Sequence, residues 1–267
     1  MQVVVITGLA QGMGREVALR LAASGDAVAG FDVDAEGVAS LRAELEAKGA
    51  RCLLRTLDVC DRAGILAFRD DVLRSFGRVD VVLSNVGIGF FGPFEEVDLE
   101  KASRCLEINV MGTAAILQAF LPGMRERRSG RLVAVSSLVG QIPFPFESIY
   151  SATKYAVRGA SHALRMELEG ERIGVTTVLP GTVATRLLET ATSYDRTASS
   201  RIAELMLARG MKPSVVAERV VRAIRANEAE VTVGWDAHLA IGVHAIAPAL
   251  FDRALAAGFR WRERRAR

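Results

Sequence analysis

The sequence predicts an α/β fold in which a parallel sheet of about seven strands is flanked by helices on both faces. Short runs rich in Val, Ile and Leu alternate with longer stretches of helical period, which is the pattern of repeated strand–helix units and a doubly wound sheet. A glycine-rich turn joins the first run to the first helical stretch. The length fits one such unit, so residues 1–267 are predicted to form a single domain.

The predicted elements follow from this alternation. The strands are expected at residues 2–6, 27–32, 52–57, 79–84, 131–136, 174–179 and 230–233. The helices are expected at about 12–24, 35–48, 61–76, 98–128, 149–169 and 213–226. Each helix is long enough to serve as the crossover that a parallel pair of strands requires.

Composition narrows the class of protein. Half of the residues are hydrophobic and 24% are charged, which supplies a core and is unlike a disordered chain. The net charge is +3, but residues 251–267 carry six Arg against two acidic residues, a local +4, so the rest of the chain is near −1. A nearly neutral body argues against nucleic acid as a partner. No basic stretch or cleavage site of a signal peptide follows Met1, so a cytoplasmic protein is expected.

No metal site or disulfide is expected. Cys52, Cys60 and Cys105 are odd in number and lack the spacing of a zinc site. The three His residues also lack the spacing of a ligand pair.

The turn after the first strand predicts a nucleotide site in a sheet of the Rossmann type. It reads Thr7-Gly8-Leu9-Ala10-Gln11-Gly12-Met13-Gly14 and opens the first helix, where backbone N–H groups and the helix dipole receive a pyrophosphate. Glycine is needed where a side chain would obstruct the phosphates. The alternative is a glycine-rich turn that binds no ligand. The expected contacts are Gly8, Gln11, Gly12, Met13 and Gly14.

Asp32 favours NAD over NADP. It ends the second strand 18 residues after Gly14, close to the offset of about 20 residues at which an acidic side chain meets the adenosine ribose. A carboxylate there accepts from the ribose hydroxyls and repels a 2′-phosphate, and Gln11 and Val33 add no positive charge. Asp32 could instead cap the next helix, as Asp34 could, but its place at the end of the strand favours the ribose.

Tyr150 and Lys154 form a candidate proton-transfer pair. They stand four residues apart at the start of a predicted helix, so the phenol and the ammonium share one face. The positive charge is expected to lower the pKa of Tyr150 toward the working range. Ser137 ends a strand 13 residues earlier, where a hydroxyl points into the ligand crevice of a parallel sheet. A Ser that merely ends a strand is the alternative.

These motifs closely resemble one family, the short-chain dehydrogenases/reductases in their compact form with TGxxxGxG and YxxxK motifs. The resemblance runs from Met1 to about Thr185. It also covers Leu57-Asp58-Val59, Asn85-Val86-Gly87, Ile108-Asn109-Val110 and Pro180-Gly181-Thr182-Val183-Ala184-Thr185. Ser84 and Val86 stand where the family commonly has Asn and Ala, which predicts only small changes in packing.

The resemblance implies a role for each of these residues. Asp58 would hold the adenine, Asn85 and Gly87 would support the central strand and the cofactor, and Val183 and Thr185 would contact the carboxamide. Asn109 would help form a water-mediated proton relay through a local irregularity in its helix. The set of expected cofactor contacts also includes Val59, Val86, Pro180 and Gly181. Taken singly, these residues also fit a loop Asp, a turn Asn, a mid-helix polar residue and a Pro-Gly turn.

The implied activity is that of an NAD-dependent oxidoreductase interconverting a secondary alcohol and a ketone. Tyr150 would exchange the proton, Ser137 would hydrogen-bond the substrate oxygen, and Lys154 would lower the pKa of Tyr150 and bind the nicotinamide ribose. The resemblance also implies a homodimer or homotetramer. A non-catalytic nucleotide sensor is the alternative, against which the retained Ser, Tyr and Lys argue. An enzyme that eliminates or isomerises is a second alternative, against which the unmodified glycine turn argues.

A hydrophobic, ring-containing or lipid-like substrate is expected. Aromatic and aliphatic residues flank the candidate site, and apolar walls with few polar groups suit such ligands. The expected lining residues are Phe90, Ile142, Phe144, Phe146 and Leu187. The alternative is that the Phe residues only pack their own loops. Residues 183–212, where the strand–helix rhythm lapses, are predicted to form a substrate lid or, alternatively, a packing insertion.

Residues 237–267 are predicted to form a helical, basic C-terminal extension. Its apolar part is interrupted by Pro248 and is too short to span a membrane. Covering a neighbouring subunit or the pocket is the first interpretation. A solvated tail and contact with an anionic membrane surface are the other two.

Overall fold

The computed structural model describes residues 1–184, 192–193 and 210–266. Its strands, in chain order, are β1 (Val3–Thr7), β2 (Ala27–Asp32), β3 (Cys52–Thr56), β4 (Val81–Ser84), β5 (Phe90–Phe91), β6 (Gly130–Val135), β7 (Ile173–Pro180), β8 (Thr192–Ser193) and β9 (Glu230–Val233). All but β5 and β8 form one parallel sheet in the order β3-β2-β1-β4-β6-β7-β9. The predicted seven-stranded sheet is confirmed. The parallel pair of β5 and β8 is an addition that the sequence pattern does not predict.

The helices are α1 (Gly12–Ala23), α2 (Ala35–Ala47), α3 (Arg62–Phe76), α4 (Leu99–Leu106), α5 (Gly112–Arg127), α6 (Ser148–Glu167), α7 (Pro213–Ala226), α8 (Trp235–Ile246) and α9 (Pro248–Ala266). A π-helical segment, Glu107–Met111, joins α4 to α5, so the helix predicted over 98–128 is one run of three segments. Most of the predicted lid, residues 183–212, lies outside the described residues.

The helices after β2 and β3 and the helix α4 begin in the same way. The side chains of Asp34, Asp61 and Asp98 each accept a hydrogen bond from a backbone N–H in the first helical turn. Such caps satisfy donors that have no partner within a helix. At the start of α1, by contrast, Gln11 makes no capping hydrogen bond with its side chain. The backbone N–H groups in the first turn of α1 are therefore available to acceptors other than a capping side chain.

Two apolar layers bury the sheet from both sides. Along β1, Val4 and Ile6 belong to the layer under α1, α2 and α7, whereas Val3 and Val5 belong to the layer under α3, α5 and α6. All five residues of β1 are buried, as expected of a central parallel strand covered on both faces. This arrangement is the doubly wound sheet of a single domain.

The order in which the chain adds strands to the sheet reverses between β1 and β4, although the strands themselves are all parallel. From β1 the chain continues to β2 and β3 on one side, and from β4 it continues to β6, β7 and β9 on the other. Ligands of such sheets bind at the carboxyl ends of the strands where this reversal opens a crevice. The fold therefore places a crevice at Thr7 and Ser84, the last residues of β1 and β4.

One helical run in the described part of the chain, Leu99–Arg127, is long and apolar enough to cross a membrane by length and composition. In the structure, Ile116, Phe120 and Met124 of this run are buried in the layer against the sheet. The run is therefore accounted for as a core helix.

The C-terminal helices cover the segment between Ser137 and Tyr150. Ala237 of α8 packs with Leu138 and Ile142 in a small apolar cluster, which Phe251 of α9 joins. The rings of Phe146 and Phe259 lie 5.9 Å apart. The pocket-covering interpretation of the predicted extension stays a prediction.

Gly30→Ala is expected to lower the free energy of unfolding by about 1–3 kcal/mol, because the added methyl group would overlap the Ile6 carbonyl oxygen and the Leu9 side chain. Gly159→Ala is the matched control, since its methyl group would meet nothing within 4 Å on the exposed face of α6. There the change should stabilise the protein by about 0.5–1 kcal/mol. Urea unfolding midpoints measure both, and equal effects of the two variants would contradict the packing described for β2.

Candidate active site

The turn between β1 and α1 has a backbone shape that favours glycine. Gly8 and Gly12 have φ angles of +67° and +57°, in the left-handed region. A side chain at Gly14 would overlap the Gly8 carbonyl oxygen and lie 2.7 Å from Asn85 Nδ2. The turn therefore packs closely on the end of β1 and presents the uncapped first turn of α1 to the crevice. Backbone N–H groups in this arrangement suit an anionic group.

Asn85 joins this turn to the end of β4. Its Nδ2 donates to the backbone oxygens of Thr7 and Gly8, at 3.2 and 2.9 Å. The hydroxyl oxygen of Thr7 accepts in return from the backbone N–H groups of Asn85 and Val86, at 3.1 and 3.3 Å. These four hydrogen bonds join the end of β1 to the turn after β4, where the strand order reverses, and this clamp is how Asn85 supports the central strand.

Asp32 also contacts the glycine turn. Its Oδ2 accepts from the backbone N–H of Ala10 at 3.0 Å, and its Oδ1 accepts from that of Asp34 at 3.1 Å. Asp34, not Asp32, caps α2 by accepting from Gly37 N at 3.0 Å. The capping alternative for Asp32 is therefore removed, and its carboxylate lies at the edge of the predicted nucleotide site.

Arg15 is a charged neighbour of this region that the sequence analysis does not single out. Its Nη1 donates to the Ala10 carbonyl at 3.4 Å, and its Nη2 pairs with Glu44 at 2.9 Å. Glu44 lies on α2 and also pairs with Lys48. No local sequence signal reveals this pairing, because it joins two helices.

Asp58 is already held by the protein. Its carboxylate accepts from Cys60 N at 2.9 Å and from Arg104 at 2.5 Å. Burial raises the pKa of Asp58, but the hydrogen bonds from Cys60 and Arg104 and the charge of Arg104 lower it by more. The pKa of Asp58 therefore lies below its ordinary value. The side chains of three other predicted contacts, Met13, Val59 and Val86, pack in or against the apolar layers.

Tyr150, Ser137 and Lys154 meet beside the end of β6. Tyr150 is the third residue of α6 and is 6% exposed, and the Ser137 hydroxyl lies near its phenol. Lys154, one turn later, donates from Nζ to the Val135 carbonyl at 3.0 Å. The Nζ atom lies 5.6 Å from the centre of the Tyr150 ring. The three residues that the sequence predicts as a set are thus neighbours in space.

Asn109 lies in the π-helical segment, the local irregularity that the family resemblance implies. Its side-chain amide bridges two elements: Oδ1 accepts from Ile88 N at 2.8 Å, and Nδ2 donates to the Thr153 hydroxyl at 3.0 Å. Thr153 in turn donates to the Tyr150 carbonyl at 2.7 Å. Thr153, which the sequence analysis missed, therefore links Asn109 to the start of α6.

Gly87 brings the turn after β4 against this group. A side chain there would lie 3.2 Å from both Asn109 Oδ1 and Lys154 Nζ. Ser84 also connects to Asn109, because its hydroxyl donates to Thr113, whose hydroxyl donates to the Asn109 carbonyl. Ser84 at this family-variant position thus joins the hydrogen-bond network beneath the site.

The pKa values of the central pair are set by burial. Burial raises the pKa of Tyr150 well above its ordinary value, the Glu147 carboxylate raises it further, and the Ser137 hydrogen bond lowers it. Burial also lowers the pKa of Lys154 to about 8, against an opposing effect of Cys105. The net direction expected for the pKa of Tyr150 is therefore wrong, whereas the lowering effect expected of Lys154 itself stays a prediction. Desolvation outweighs the spacing of the pair.

Glu147 is a further acid that the sequence analysis missed. It precedes α6, three residues before Tyr150, and burial raises its pKa to about 7. The spacing of three residues is a signal that could have revealed it, since such residues share a helix face.

The predicted apolar wall is present in part. Phe90 is buried with Tyr150 and Phe144 in one cluster, and the Phe91 ring lies 6.0 Å from the Tyr150 ring. Ile142 is fully buried under α8, so its side chain packs the covering helix rather than lining an open surface. Thr185 and Leu187 lie outside the described residues.

The turn after β7 lies at the same edge of the sheet. Gly181 N donates to the Val233 carbonyl at 2.8 Å, and Val183 pairs with Met211 in a short parallel bridge. Pro180, the last residue of β7, is buried. Within the described residues, no group of three His, Cys, Asp or Glu residues is arranged to hold a metal ion.

Comparison with known proteins places this geometry in context. The family model of the short chain dehydrogenase matches residues 2–195. The chain is 34% identical over 262 residues to dehydrogenase/reductase SDR family member 7B of Bos taurus, covering 95% of this chain and 80% of that protein. It is 34% identical over 261 residues to the putative oxidoreductase SadH of Mycobacterium tuberculosis, covering 96% of this chain and 95% of that one.

Solved structures agree in fold. A short chain dehydrogenase/reductase from Burkholderia phymatum in complex with NAD superposes with a TM-score of 0.87 at 25% identity, covering 93% of this chain and 94% of that one. An alcohol dehydrogenase from Thermococcus sibiricus, complexed with 5-hydroxy-NADP, superposes with a TM-score of 0.75 at 27% identity, covering 87% and 96%. These neighbours hold nicotinamide cofactors of both kinds.

Glu147→Gln is expected to stabilise the protein at neutral pH and to change little below pH 4.5. The carboxyl has a pKa of 4.5 ordinarily and about 7 in the fold, so the folded state retains its proton as pH rises through this window. The wild type therefore loses stability between pH 4.5 and 7, whereas a glutamine does not titrate. The difference should level off above pH 7 at a value on the order of 2–3 kcal/mol.

Urea unfolding of both proteins at pH 4, 5, 6, 7 and 8 measures this difference. Glu167→Gln, on the exposed end of α6, is the control for loss of one negative charge. A stability difference between Glu147→Gln and wild type that does not vary with pH would contradict the buried position of the carboxyl.

Proposed function

The chain belongs to the short-chain dehydrogenase family, and we propose that it is an NAD-dependent oxidoreductase that interconverts secondary alcohols and ketones on hydrophobic substrates. The observation that carries this proposal is the position of two groups of residues at one edge of the sheet. The glycine turn after β1 and the set of Ser137, Tyr150 and Lys154 beside β6 are linked through the Asn85–Gly87 turn. A nucleotide site and a proton-transfer site at the same edge of the sheet suit hydride transfer to or from a carbonyl or carbinol carbon.

The residues present fit a dinucleotide. At Gly14 a Cβ atom has no room, and the first turn of α1 has no side-chain cap, so the turn has the form of a pyrophosphate cradle. Asp32 would bind the adenosine ribose, Lys154 the nicotinamide ribose, and the turn after β7 the carboxamide. The cofactor, when bound, supplies or accepts the hydride.

Tyr150 is the proton donor and acceptor in this mechanism. Its raised pKa keeps the phenol protonated in the free protein, which suits donation to a ketone. In the oxidation direction the phenol must first lose its proton, and the Lys154 ammonium, 5.6 Å from the ring, is the group whose charge favours that loss. The Ser137 hydroxyl, which lies near the phenol, would bind the substrate oxygen.

Asp32 and its surroundings support NAD over NADP. Its carboxylate accepts from the glycine turn and would repel a phosphate on the 2′-oxygen. Arg15, the cation beside this turn, is paired with Glu44 and so offers little free charge to such a phosphate. Val33, the next residue after Asp32, is exposed and neutral.

Apolar residues beside Tyr150 support a hydrophobic substrate. Phe90 and Phe144 pack around the Tyr150 side chain, and Phe91 places its ring 6.0 Å from it. Activity confined to small polar sugars would count against this part of the proposal.

Tyr150→Phe is expected to lower kcat by about 10²–10⁴-fold while leaving the Kd for NAD within about twofold, because only the phenolic hydroxyl that exchanges the proton is lost. The rate is followed by absorbance of the reduced nicotinamide with a panel of hydrophobic secondary alcohols and ketones. Tyr155→Phe is the matched control, since that hydroxyl lies on the exposed side of α6 and bonds the Gln141 carbonyl. Near-normal turnover by Tyr150→Phe would overturn the assignment.

Asp32→Asn is expected to lower the preference for NAD over NADP, measured as the ratio of kcat/KM values, by about tenfold. The amide oxygen still accepts from Ala10 N, so the change removes charge and keeps the contact. Asp34→Asn, at the neighbouring cap, is the control and should leave the ratio unchanged. An unaltered ratio in Asp32→Asn would show that another group selects the cofactor.

A further inference from the structure

Asp236 is a carboxylate at the active edge of the sheet that neither the motifs nor the proposed mechanism uses. It is the second residue of α8 and follows β9 after Gly234 and Trp235. Its Oδ2 accepts from the backbone N–H of Thr182 at 3.0 Å, across 54 residues of chain. Thr182 lies in the turn after β7, next to Gly181 and Val183.

Two glycines leave space for this carboxylate. A Cβ atom on Gly181 would lie 2.6 Å from Asp236 Oδ1, and one on Gly234 would overlap the same oxygen. Gly234 also has a φ of +114°, a conformation that other residues rarely adopt. The ends of β7 and β9 are therefore shaped around the Asp236 side chain.

The carboxylate is not satisfied by these contacts. Asp236 Oδ1 is shielded from solvent and accepts no hydrogen bond from the described residues. A buried acceptor without a partner costs free energy, on the order of 1–3 kcal/mol. Stability alone does not explain a carboxylate in this place, whereas a need to hold Thr182 does.

The turn after β7 receives its other hydrogen bonds through backbone groups. Gly181 N donates to Val233 O, Met211 N donates to Thr182 O, and Ala184 N donates to Met211 O, at 2.8, 2.9 and 2.9 Å. Among the described residues, Asp236 supplies the side-chain hydrogen bond to this turn. The Thr182 backbone is therefore held at its N–H by this carboxylate and at its carbonyl by Met211 N.

The next residue extends this contact to the catalytic side. Ala237 is fully buried and packs with Leu138 and Ile142, which follow Ser137. The first turn of α8 thus touches the turn after β7 with one residue and the Ser137 segment with the next. The glycine turn and Asp32, in contrast, lie at β1 and β2, on the other side of the reversal.

We propose that Asp236 is a positioning residue, which holds the Gly181–Val183 turn in the conformation that receives the nicotinamide end of the cofactor. The inference rests on the proposed function, because it assumes that this turn contacts the carboxamide. It adds that α8 takes part in cofactor binding at the nicotinamide end and not at the adenosine end.

The experiment compares binding of NADH and of ADP-ribose, which lacks the nicotinamide. Asp236→Ala should weaken NADH binding by about tenfold and leave ADP-ribose binding within about twofold. Asp236→Asn should restore most of the NADH affinity, since its amide oxygen can accept from Thr182 N. Amide hydrogen exchange of the peptide spanning Thr182 should become faster in Asp236→Ala and remain slow in Asp236→Asn.

Asp252→Ala, an exposed carboxylate on α9, is the matched control and should change neither affinity. Unchanged NADH binding in Asp236→Ala, or an equal loss of NADH and ADP-ribose binding, overturns the positioning role. If Asp236→Ala does not fold, an Asp236→Asn protein with the affinities and exchange of wild type supports the role, and one with weakened ADP-ribose binding overturns it. Wild-type protein that binds neither ligand would instead overturn the proposed function, so the two failures are distinguishable.

Discussion

The side-chain amide of Asn85 ties together the two turns on which the site depends. It donates to the backbone of Thr7 and Gly8 after β1, while Thr7 accepts from the backbone that follows β4. The strand order of the sheet reverses between β1 and β4, so this clamp fixes the separation of the two turns that border the crevice. Gly87, two residues further on, then lies against Asn109 and Lys154. The glycine turn and the group of Ser137, Tyr150 and Lys154 are positioned relative to each other by this one turn.

Burial, more than charge pairing, sets the proton chemistry at the chemical half. Tyr150 and Lys154 are 6% and 4% exposed, and desolvation moves their pKa values in opposite directions, each toward the neutral form. Glu147 is shifted toward its neutral form for the same reason. At neutral pH the Tyr150 phenol is therefore uncharged, Glu147 is about half protonated, and Lys154 keeps most of its charge.

The C-terminal helices pack against two segments that border the candidate site. They bury Ile142 and contact Phe146 on the segment between Ser137 and Tyr150, and α8 also contacts the turn after β7 through Asp236. The outer face of α8 is apolar as well, since Trp235, Leu239 and Ile246 are exposed. The C-terminal helices therefore support both the segment after Ser137 and the turn after β7.

The sequence by itself determined the order of strands and helices, the glycine turn, the break in helix 98–128 through its family resemblance, and the set of Ser137, Tyr150 and Lys154. Each of these is a local pattern whose spacing along the chain reappears in space, as a helix face or a strand end. Only the tertiary structure decided that Asp34 and not Asp32 caps α2, that Arg15 is paired with Glu44, that Ile142 is covered by α8, and that Asp236 holds Thr182. It also reversed the expected direction of the Tyr150 pKa. These features depend on contacts between distant segments and on depth of burial. The spacing of residues along the chain predicts neither of them.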